Sequence, residues 1–271
     1  MATEFFDRYG PCAVITGASE GTGAEFARQL AAQGFDLVLI ARREGPLQEL
    51  AEEIRASHGV KVVTGSVDLA QPNAAARIAE IAAPFEVGLF IANAGADTNG
   101  ARFLNRDLAA WNALVTMNVT TTMGLAHHFG PGMRDRKRGG MILVGSGACY
   151  GGLNGMGVYC GSKAFVMNLA EGLWAEFRHY GVDVLNLILG RTDTPAHRRA
   201  LEASGQTVNT AGMASSADVA RVGLEQLPHG PIYNWGSPND QVGFAPQSPD
   251  ARRERILMIE KASGAYAGKK S

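Results

Sequence analysis

Short apolar runs rich in valine, isoleucine and leucine recur along the chain, and segments of helical period separate them. Such runs are typical of strands that are buried on both faces of a sheet. They cover residues 12–16, 36–41, 60–65, 87–93, 141–146 and 182–189, and a shorter run lies near "GPIYNW". Regular alternation of strand and helix indicates parallel crossovers. The sequence therefore predicts an α/β fold with a doubly wound parallel sheet of about seven strands and helices on both faces.

The chain of 271 residues is 46% hydrophobic and 19% charged, which suffices for one large core. We find no internal repeat and no low-complexity linker, so we predict a single domain over residues 1–271. Within it, residues 196–215 interrupt the alternation and predict a mobile substrate lid. Residues 248–263 predict a charged, amphipathic C-terminal helix.

The formal net charge of −1 argues against partners that need a basic field, such as nucleic acid or an anionic membrane. The N-terminal "MATEFFDRYGPC" lacks a basic region followed by a long apolar run, so we predict neither a signal peptide nor a transmembrane segment. Cys12, Cys149 and Cys160 fit neither a disulfide framework nor a zinc site. We expect a cytoplasmic protein with reduced thiols and no metal.

A glycine-rich segment, "TGASEGTG", follows the first predicted strand and leads directly into a helix. Glycines there permit a tight turn and a close approach of the backbone, and the helix start offers unpaired N–H groups to an anion. A pyrophosphate suits this position. The candidate binding residues are Gly17, Ser19, Gly21, Thr22 and Gly23.

Tyr159 and Lys163, in "YCGSK", are four residues apart and therefore lie on one face of a helix. An ammonium about 4 Å from a phenolate stabilises it by about 4 kcal/mol at an effective dielectric constant near 20. That corresponds to roughly three pK units, so we expect Lys163 to lower the pKa of Tyr159. A phenol adjusted in this way is a suitable general acid when a hydride is added to a carbonyl group.

The glycine spacing G-x-x-x-G-x-G and the Tyr-x-x-x-Lys pair together resemble the short-chain dehydrogenase/reductase family, over residues 14 to about 232. The resemblance implies a Rossmann-like fold, a nicotinamide cofactor and oxidoreductase activity. It also implies that Ser146 hydrogen-bonds the substrate oxygen, that Asn118 anchors a water in the proton path, and that Lys163 holds the ribose hydroxyls. The spacing of the pair favours carbonyl or alcohol chemistry over reduction of a carbon–carbon double bond.

Further cofactor contacts are implied after the third, fourth and sixth strands. They are Asp68 and Leu69, then Asn93, Ala94 and Gly95, then Gly190, Thr192 and Thr194. By resemblance, the first pair contacts the adenine ring, the second group the ribose, and Thr194 the carboxamide of the nicotinamide. Thr192 stands where relatives carry an aliphatic residue and could face the substrate. The chain departs from its relatives at Leu189, where they carry proline, so we expect a less rigid turn.

Cofactor preference depends on the end of the second strand, which reads "LIARRE". NAD-binding chains place an acidic residue there to bind the ribose hydroxyls. This chain has Ala41 and then Arg42 and Arg43, whose guanidinium groups suit a 2′-phosphate. NADP(H) is therefore favoured, with Arg42 as the stronger contact, and NAD(H) stays an alternative. Glu20 is a departure, because many NADP-using relatives carry a basic residue at that position.

The sequence thus predicts an NADP(H)-dependent oxidoreductase of ketones or secondary alcohols, with Tyr159 as general acid and base. Tyr150, Leu153 and Met156 follow the fifth strand and favour a hydrophobic or ring-bearing substrate. The alternative from another class is a cofactor-binding regulator or scaffold that has kept the fold and lost the chemistry.

Two long predicted helices, at about 108–134 and 158–180, carry apolar residues on more than one face. In the family, such helices pair subunits through a four-helix interface, which implies a homodimer or homotetramer. A monomer that buries both faces is the alternative. The small residues Cys160, Gly161 and Ser162 predict that the turn between the tyrosine and the lysine packs close to the cofactor or the sheet.

Overall fold

Nine strands are present in the computed structural model, which describes residues 2–203 and 207–235 together with residues 250, 253, 254 and 257. They are β1 (Cys12–Thr16), β2 (Asp36–Ala41), β3 (Val62–Ser66), β4 (Val87–Ala92), β5 (Gly139–Ser146), β6 (Val182–Leu189), β7 (Thr192–Asp193), β8 (Ala214–Ser215) and β9 (Ile232–Trp235). Seven of them form one parallel sheet in the order β3-β2-β1-β4-β5-β6-β9, and β7 pairs with β8. The predicted fold class is confirmed.

Helices cover both faces of this sheet. They are α1 (Ala2–Tyr9), α2 (Gly21–Ala31), α3 (Glu44–His58), α4 (Ala74–Ala82), α5 (Leu108–Val115), α6 (Thr121–Arg136), α7 (Gly157–Phe177), α8 (Pro195–Ala203) and α9 (Ser216–Gln226). A π-helical turn, Thr116–Thr120, joins α5 to α6, so the helix predicted at about 108–134 consists of three consecutive helical segments. None of the described helices combines the length and the apolar content that crossing a bilayer requires.

The apolar runs form the core because each central strand is covered by helices on both sides. Every residue of β1 and β4 is buried, as are all but the last residue of β5 and β6. The prediction of two buried faces is wrong for β3, which lies at the edge of the sheet and leaves Val63 37% exposed. An edge strand has only one strand neighbour and less helix over it, so some of its side chains are exposed to solvent.

The strand order reverses between β1 and β4, so chain segments leave this pair in opposite directions across the sheet. In doubly wound sheets the crevice at such a point, outside the carboxyl ends of the strands, is where ligands bind. The predicted lid at 196–215 contains α8 and β8, while 204–206 fall outside the described residues. The helix predicted at 248–263 lies outside them too, apart from the helical residues 250, 253, 254 and 257.

Candidate active site

The junction of β1 and α2 requires glycine at position 17, in the turn, and at position 23, in the first turn of α2. Gly17 has φ of +69°, in the left-handed region that side chains disfavour. A Cβ on Gly23 would lie 2.2 Å from the carbonyl oxygen of Gly17, so the helix and the turn approach too closely for a side chain. Asn93 fixes this turn from β4, because its Nδ2 donates to the carbonyl oxygens of Thr16 at 3.2 Å and Gly17 at 3.1 Å. The result is a bare backbone surface.

The start of α2 offers its first amides to a ligand. Glu20 occupies the N-cap position, but its side chain makes no capping hydrogen bond and pairs instead with Arg43 and Arg199. Uncapped N–H groups and the positive end of the helix dipole attract anions. Ser19, which is partly exposed, and Thr22, which is 5% exposed, flank this position. The predicted pyrophosphate position therefore has free backbone donors.

The end of β2 brings positive charge to the same edge. Arg42 is exposed and makes no ion pair within the described residues, and its carbonyl oxygen accepts a hydrogen bond from Ser66 Oγ at 3.2 Å. Arg43 Nη2 lies 2.6 Å from Oε2 of Glu20. Partial burial opposes ionisation of Glu20, but hydrogen bonds from Arg199 and Arg43 outweigh it and hold the pKa of this carboxyl below its usual range. Glu20, which stands where many NADP-using relatives carry a basic residue, is thus an ionised carboxylate that two guanidinium groups neutralise.

The residues after β3 and β4 line the next part of the crevice. Asp68 Oδ1 accepts a hydrogen bond from the amide of Ala70 at 3.1 Å, which orders the chain after β3. The carbonyl oxygen of Leu69 accepts from Thr121 Oγ1 at 2.9 Å and is therefore engaged within the protein. After β4, the amide of Ala94 donates to Oγ1 of Thr16, the last residue of β1, at 3.3 Å.

Lys163 is buried in the centre of the site, with 4% of its surface exposed. Its Nζ donates to the carbonyl oxygen of Val144 in β5 at 3.0 Å. A Cβ on Gly95 would lie 2.8 Å from this nitrogen, so glycine is what allows the ammonium to reach the end of β4. Burial disfavours the charged form and lowers the pKa of Lys163 to about 8.

Tyr159, in the first turn of α7, is paired with Ser146 at the end of β5. Burial raises the pKa of Tyr159 above its ordinary value, and the hydrogen bond with the Ser146 side chain opposes that rise. Lys163 Nζ lies 5.9 Å from the centroid of the tyrosine ring. The prediction that Lys163 lowers the pKa of Tyr159 is wrong in this structure, since the lysine donates to Val144 and desolvation of the phenol dominates.

Asn118 lies in the π-helical turn and is only 2% exposed. Its Nδ2 donates to Ser162 Oγ at 3.1 Å and to the carbonyl oxygen of Ala96 at 3.3 Å. Its Oδ1 has no hydrogen-bond partner among the described residues. This oxygen lies beside Gly95, 3.0 Å from where a Cβ on that residue would be. A buried acceptor without a partner is costly, so this oxygen is suited to a bound water or another donor.

Ser162 is a positioning residue that sequence reasoning treated only as a small filler. Besides accepting from Asn118, its Oγ donates to the carbonyl oxygen of Tyr159 at 2.7 Å and so connects α7 to the π-helical turn. Its spacing of three residues after Tyr159, on the same helix face, is the signal that points to it. Cys160 is buried as predicted, whereas Gly161 is exposed, with no described protein atom within 4 Å of a Cβ there.

The segment after β6 closes the crevice opposite α7. The amide of Gly190 donates to a carbonyl oxygen of β9 at 2.9 Å. Thr192 lies in β7, and its buried Oγ1 has no partner among the described residues. The side chain of Thr194 lies 3.2 Å from where a Cβ on Gly21 would be, so the start of α8 packs against the glycine turn. The predicted nicotinamide contacts therefore lie close to the predicted phosphate contacts.

The predicted substrate wall follows Ser146. Tyr150 donates its hydroxyl to Oδ1 of Asn234 in β9 at 2.8 Å, which fixes the ring of Tyr150 in place. Leu153 is 54% exposed and borders a cavity of about 390 Å³ that Phe103 also lines. This cavity, which Val158 also lines, is bordered mainly by apolar side chains.

Comparison with known families shows which family the chain belongs to. The sequence profile of the family described as "short chain dehydrogenase" matches residues 11–205, which is most of the chain. The chain belongs to the short-chain dehydrogenase family. It is therefore an oxidoreductase of the kind that interconverts CH–OH and C=O groups, and the sequence resemblance is confirmed.

Individual short-chain dehydrogenases and reductases agree with this assignment. The chain is 30% identical over 223 residues to the 7beta-hydroxysteroid dehydrogenase of Clostridium sardiniense, with 82% of this chain and 84% of that protein covered. It is 34% identical over 183 residues to the very-long-chain 3-oxoacyl-CoA reductase of Podospora anserina. That match covers 66% of this chain and 54% of the reductase, so the chain spans about half the length of that relative. The solved structure of a short-chain dehydrogenase from Sphingobium yanoikuyae in complex with NADPH superposes with a TM-score of 0.76, 25% identity, and coverage of 97% and 98%.

Proposed function

We propose that the protein is an NADP(H)-dependent oxidoreductase that transfers a hydride between nicotinamide and a ketone or secondary alcohol. One observation carries the proposal: the Ser146 side chain interacts with the Tyr159 phenol, and Nζ of the buried Lys163 lies 5.9 Å from the centroid of the same ring. These side chains lie at the carboxyl edge of the sheet, where the crevice between β1 and β4 also opens. A proton donor, a second hydroxyl and a cation are thus grouped where a reacting carbonyl fits.

The residues of the chain fit the proposed cofactor. The bare backbone of the glycine turn and the uncapped start of α2 suit the pyrophosphate, and Arg42 and Arg43 suit the 2′-phosphate. Lys163 is the candidate for the ribose hydroxyls, and Thr194 for the carboxamide. When bound, the nicotinamide supplies the hydride that reduces the carbonyl carbon.

Each side chain has a separate task in reduction. Tyr159 donates its proton to the substrate oxygen as that oxygen becomes an alcohol, and it takes the proton back in the oxidative direction. Ser146 donates a second hydrogen bond to the same oxygen and holds it beside the phenol. Burial raises the pKa of Tyr159 and so favours the protonated phenol, which is the form that can donate to the substrate oxygen.

Asn118 and Lys163 replace the proton that Tyr159 gives up. The free Oδ1 of Asn118 and the ammonium of Lys163 both approach Gly95, which leaves a polar space between them. A water held there connects the lysine to Asn118, which fits the role that resemblance assigns to this asparagine.

The substrate is proposed to be a ketone or alcohol on a hydrophobic or ring-bearing skeleton. Tyr150, Leu153 and Met156 follow Ser146, and apolar side chains border the cavity of about 390 Å³ near them. The names of the bacterial and fungal relatives describe steroid and acyl-CoA substrates, and the steroid skeleton and the very long acyl chain are both apolar. This supports a large apolar substrate over a small polar one.

A homodimer or homotetramer is part of the proposal. Large apolar side chains stay exposed along the long helices: Leu108 at 67%, Val115 at 36%, Met123 at 42% and Phe165 at 40%. Surfaces of this kind are typical of subunit interfaces. We also propose a cytoplasmic location, which suits the three free and buried cysteines.

The function is tested by following NADPH absorbance with purified protein and a panel of ketones that includes steroid, acyl and aromatic members. Turnover of NADPH with at least one of them is the expected result. The rival assignment, a cofactor-binding regulator or scaffold, predicts that NADPH binds without turnover on any member of the panel.

Cofactor preference is tested by Arg42→Ala. Because Arg42 is exposed and has no ion pair among the described residues, we expect its main role to be phosphate binding. Loss of a charge-assisted phosphate contact should weaken NADPH binding about tenfold and leave NADH binding within about twofold. Fluorescence titration with both cofactors measures this, and an equal loss for the two would contradict the assignment of the phosphate site.

A further inference from the structure

Glu20 links two arginine side chains that come from distant parts of the chain. Arg43, at the start of α3, places Nη2 2.6 Å from Oε2 of Glu20. Arg199, on α8, places Nη1 2.9 Å from the same oxygen and donates from Nη2 to Oε1. We call these three residues the Glu20 cluster. It connects the glycine turn, the end of β2 and the helix that follows the nicotinamide-binding segment.

The local positive charge around Glu20 balances the negative charge of a phosphate only because both Arg43 and Arg199 are present. One carboxylate and two guanidinium groups give it a net charge of +1, and Arg42 beside Arg43 raises the local charge to +2. A phosphate monoester carries a charge of about −1.5 to −2 at neutral pH. Without Arg199, Glu20 would cancel the charge of Arg43 and leave a local charge of +1.

We propose that Arg199 is a positioning residue that neutralises Glu20 and thereby leaves Arg43 available for the 2′-phosphate of NADP(H). The inference rests on the proposed function and extends it to α8. Arg199 binds both oxygens of Glu20, whereas Arg43 shares one of them. Arg43 can therefore turn towards a phosphate while Glu20 keeps a bidentate partner.

The same contact holds α8 against the cofactor site. Thr194 and Pro195, which lead into α8, lie 3.2 Å and 3.6 Å from where a Cβ on Gly21 would be. Arg199 adds a second connection between α8 and the end of the glycine turn. Its loss should therefore loosen the segment that faces the substrate and raise KM for the ketone more than it lowers kcat.

Arg198 provides a matched control on the next position of α8. Its side chain is 51% exposed against 52% for Arg199, and it also binds one carboxylate through two nitrogens, at 2.6 Å and 2.5 Å. Its partner is Asp193, five residues earlier in the same segment, so this ion pair does not link α8 to the glycine turn. A change that depends on the Glu20 cluster should therefore appear in Arg199→Met and not in Arg198→Met.

The experiment measures the Kd of the full chain for NADPH and NADH in the wild type, Arg199→Met and Arg198→Met. A partly exposed ion pair allows a change of up to about fivefold. We expect Arg199→Met to weaken NADPH binding about fivefold and NADH binding less than about twofold, and Arg198→Met to change both less than about twofold. Thermal unfolding of each variant checks that it is folded.

The decisive comparison tests Arg199→Met in a protein that also carries Glu20→Gln, because Glu20→Gln removes the charge that Arg199 is proposed to neutralise. Adding Arg199→Met to Glu20→Gln should leave NADPH binding unchanged within about twofold. The inference is overturned if Arg199→Met weakens both cofactors equally, behaves as Arg198→Met does, or has its full effect in the Glu20→Gln background. If the wild type binds NADPH no better than NADH, the proposed cofactor is contradicted as well. If the wild type prefers NADPH but Arg199→Met has no specific effect on NADPH binding, only this inference is overturned.

Discussion

Replacing Tyr159 with phenylalanine is expected to lower kcat for ketone reduction about 10²- to 10⁴-fold while NADPH binding changes less than about twofold. The ring keeps its place in the first turn of α7, but the proton donor and its hydrogen bond with Ser146 are lost. Steady-state kinetics with the ketone that the wild type reduces best, together with NADPH titration, measure the two effects separately.

Tyr150→Phe is the matched control for this variant. Tyr150 also belongs to the predicted substrate wall and also hydrogen-bonds through its hydroxyl, but its acceptor is Oδ1 of Asn234. Loss of the Tyr150 hydroxyl should alter KM for the substrate while kcat stays close to that of the wild type. If Tyr159→Phe kept a kcat similar to that of Tyr150→Phe, Tyr159 would not be the general acid.

Replacing Lys163 with methionine is expected to abolish turnover and, at neutral pH, to increase the stability of the folded protein. The ammonium is 4% exposed, and burial lowers its pKa from 10.5 to about 8. This shift corresponds to about 3 kcal/mol of unfavourable free energy for keeping the folded lysine charged. Methionine removes that cost and fills similar space, at the loss of the hydrogen bond to Val144.

The sign of the pH dependence makes this prediction specific. Between about pH 8 and 10.5 the unfolded lysine is still protonated while the folded one is neutral, so the wild type becomes more stable relative to Lys163→Met as pH rises. Below pH 8 the full cost applies. Urea denaturation of both proteins across this range measures the difference, and Lys61→Met, at an exposed position, serves as the surface control. A stability difference that stays constant with pH would contradict the assigned burial effect.

Much of the fold follows from local patterns in the sequence. Apolar runs such as 12–16 and 182–189 predict buried strands because a parallel sheet covered on both faces leaves no polar positions in its central strands. Candidate residues such as Ser146 and Asn93 are predictable from their position at strand ends, since the carboxyl ends of parallel strands meet at one edge. The edge strand β3 is less predictable, because exposure there depends on strand order.

The contacts between distant segments are what the sequence does not predict. Glu20 stands 179 residues before Arg199, so its neutralisation depends on the tertiary placement of α8. The same holds for the contact of Asn118 with Ser162, which needs the π-helical turn at Thr116–Thr120. The direction of the Tyr159 pKa also depends on burial, and the four-residue spacing from Lys163 contains no information about it.

The most direct test of hydride transfer at Tyr159 uses NADPH that carries deuterium at the transferable position, with mass spectrometry of the alcohol product. With the wild type we expect one deuterium in the alcohol formed from a reducible ketone of the panel. With Tyr159→Phe, at equal NADPH occupancy, we expect almost no labelled alcohol in the same time. Tight NADPH binding with no labelled product from any ketone, or equal labelling by the two proteins, would contradict the assignment.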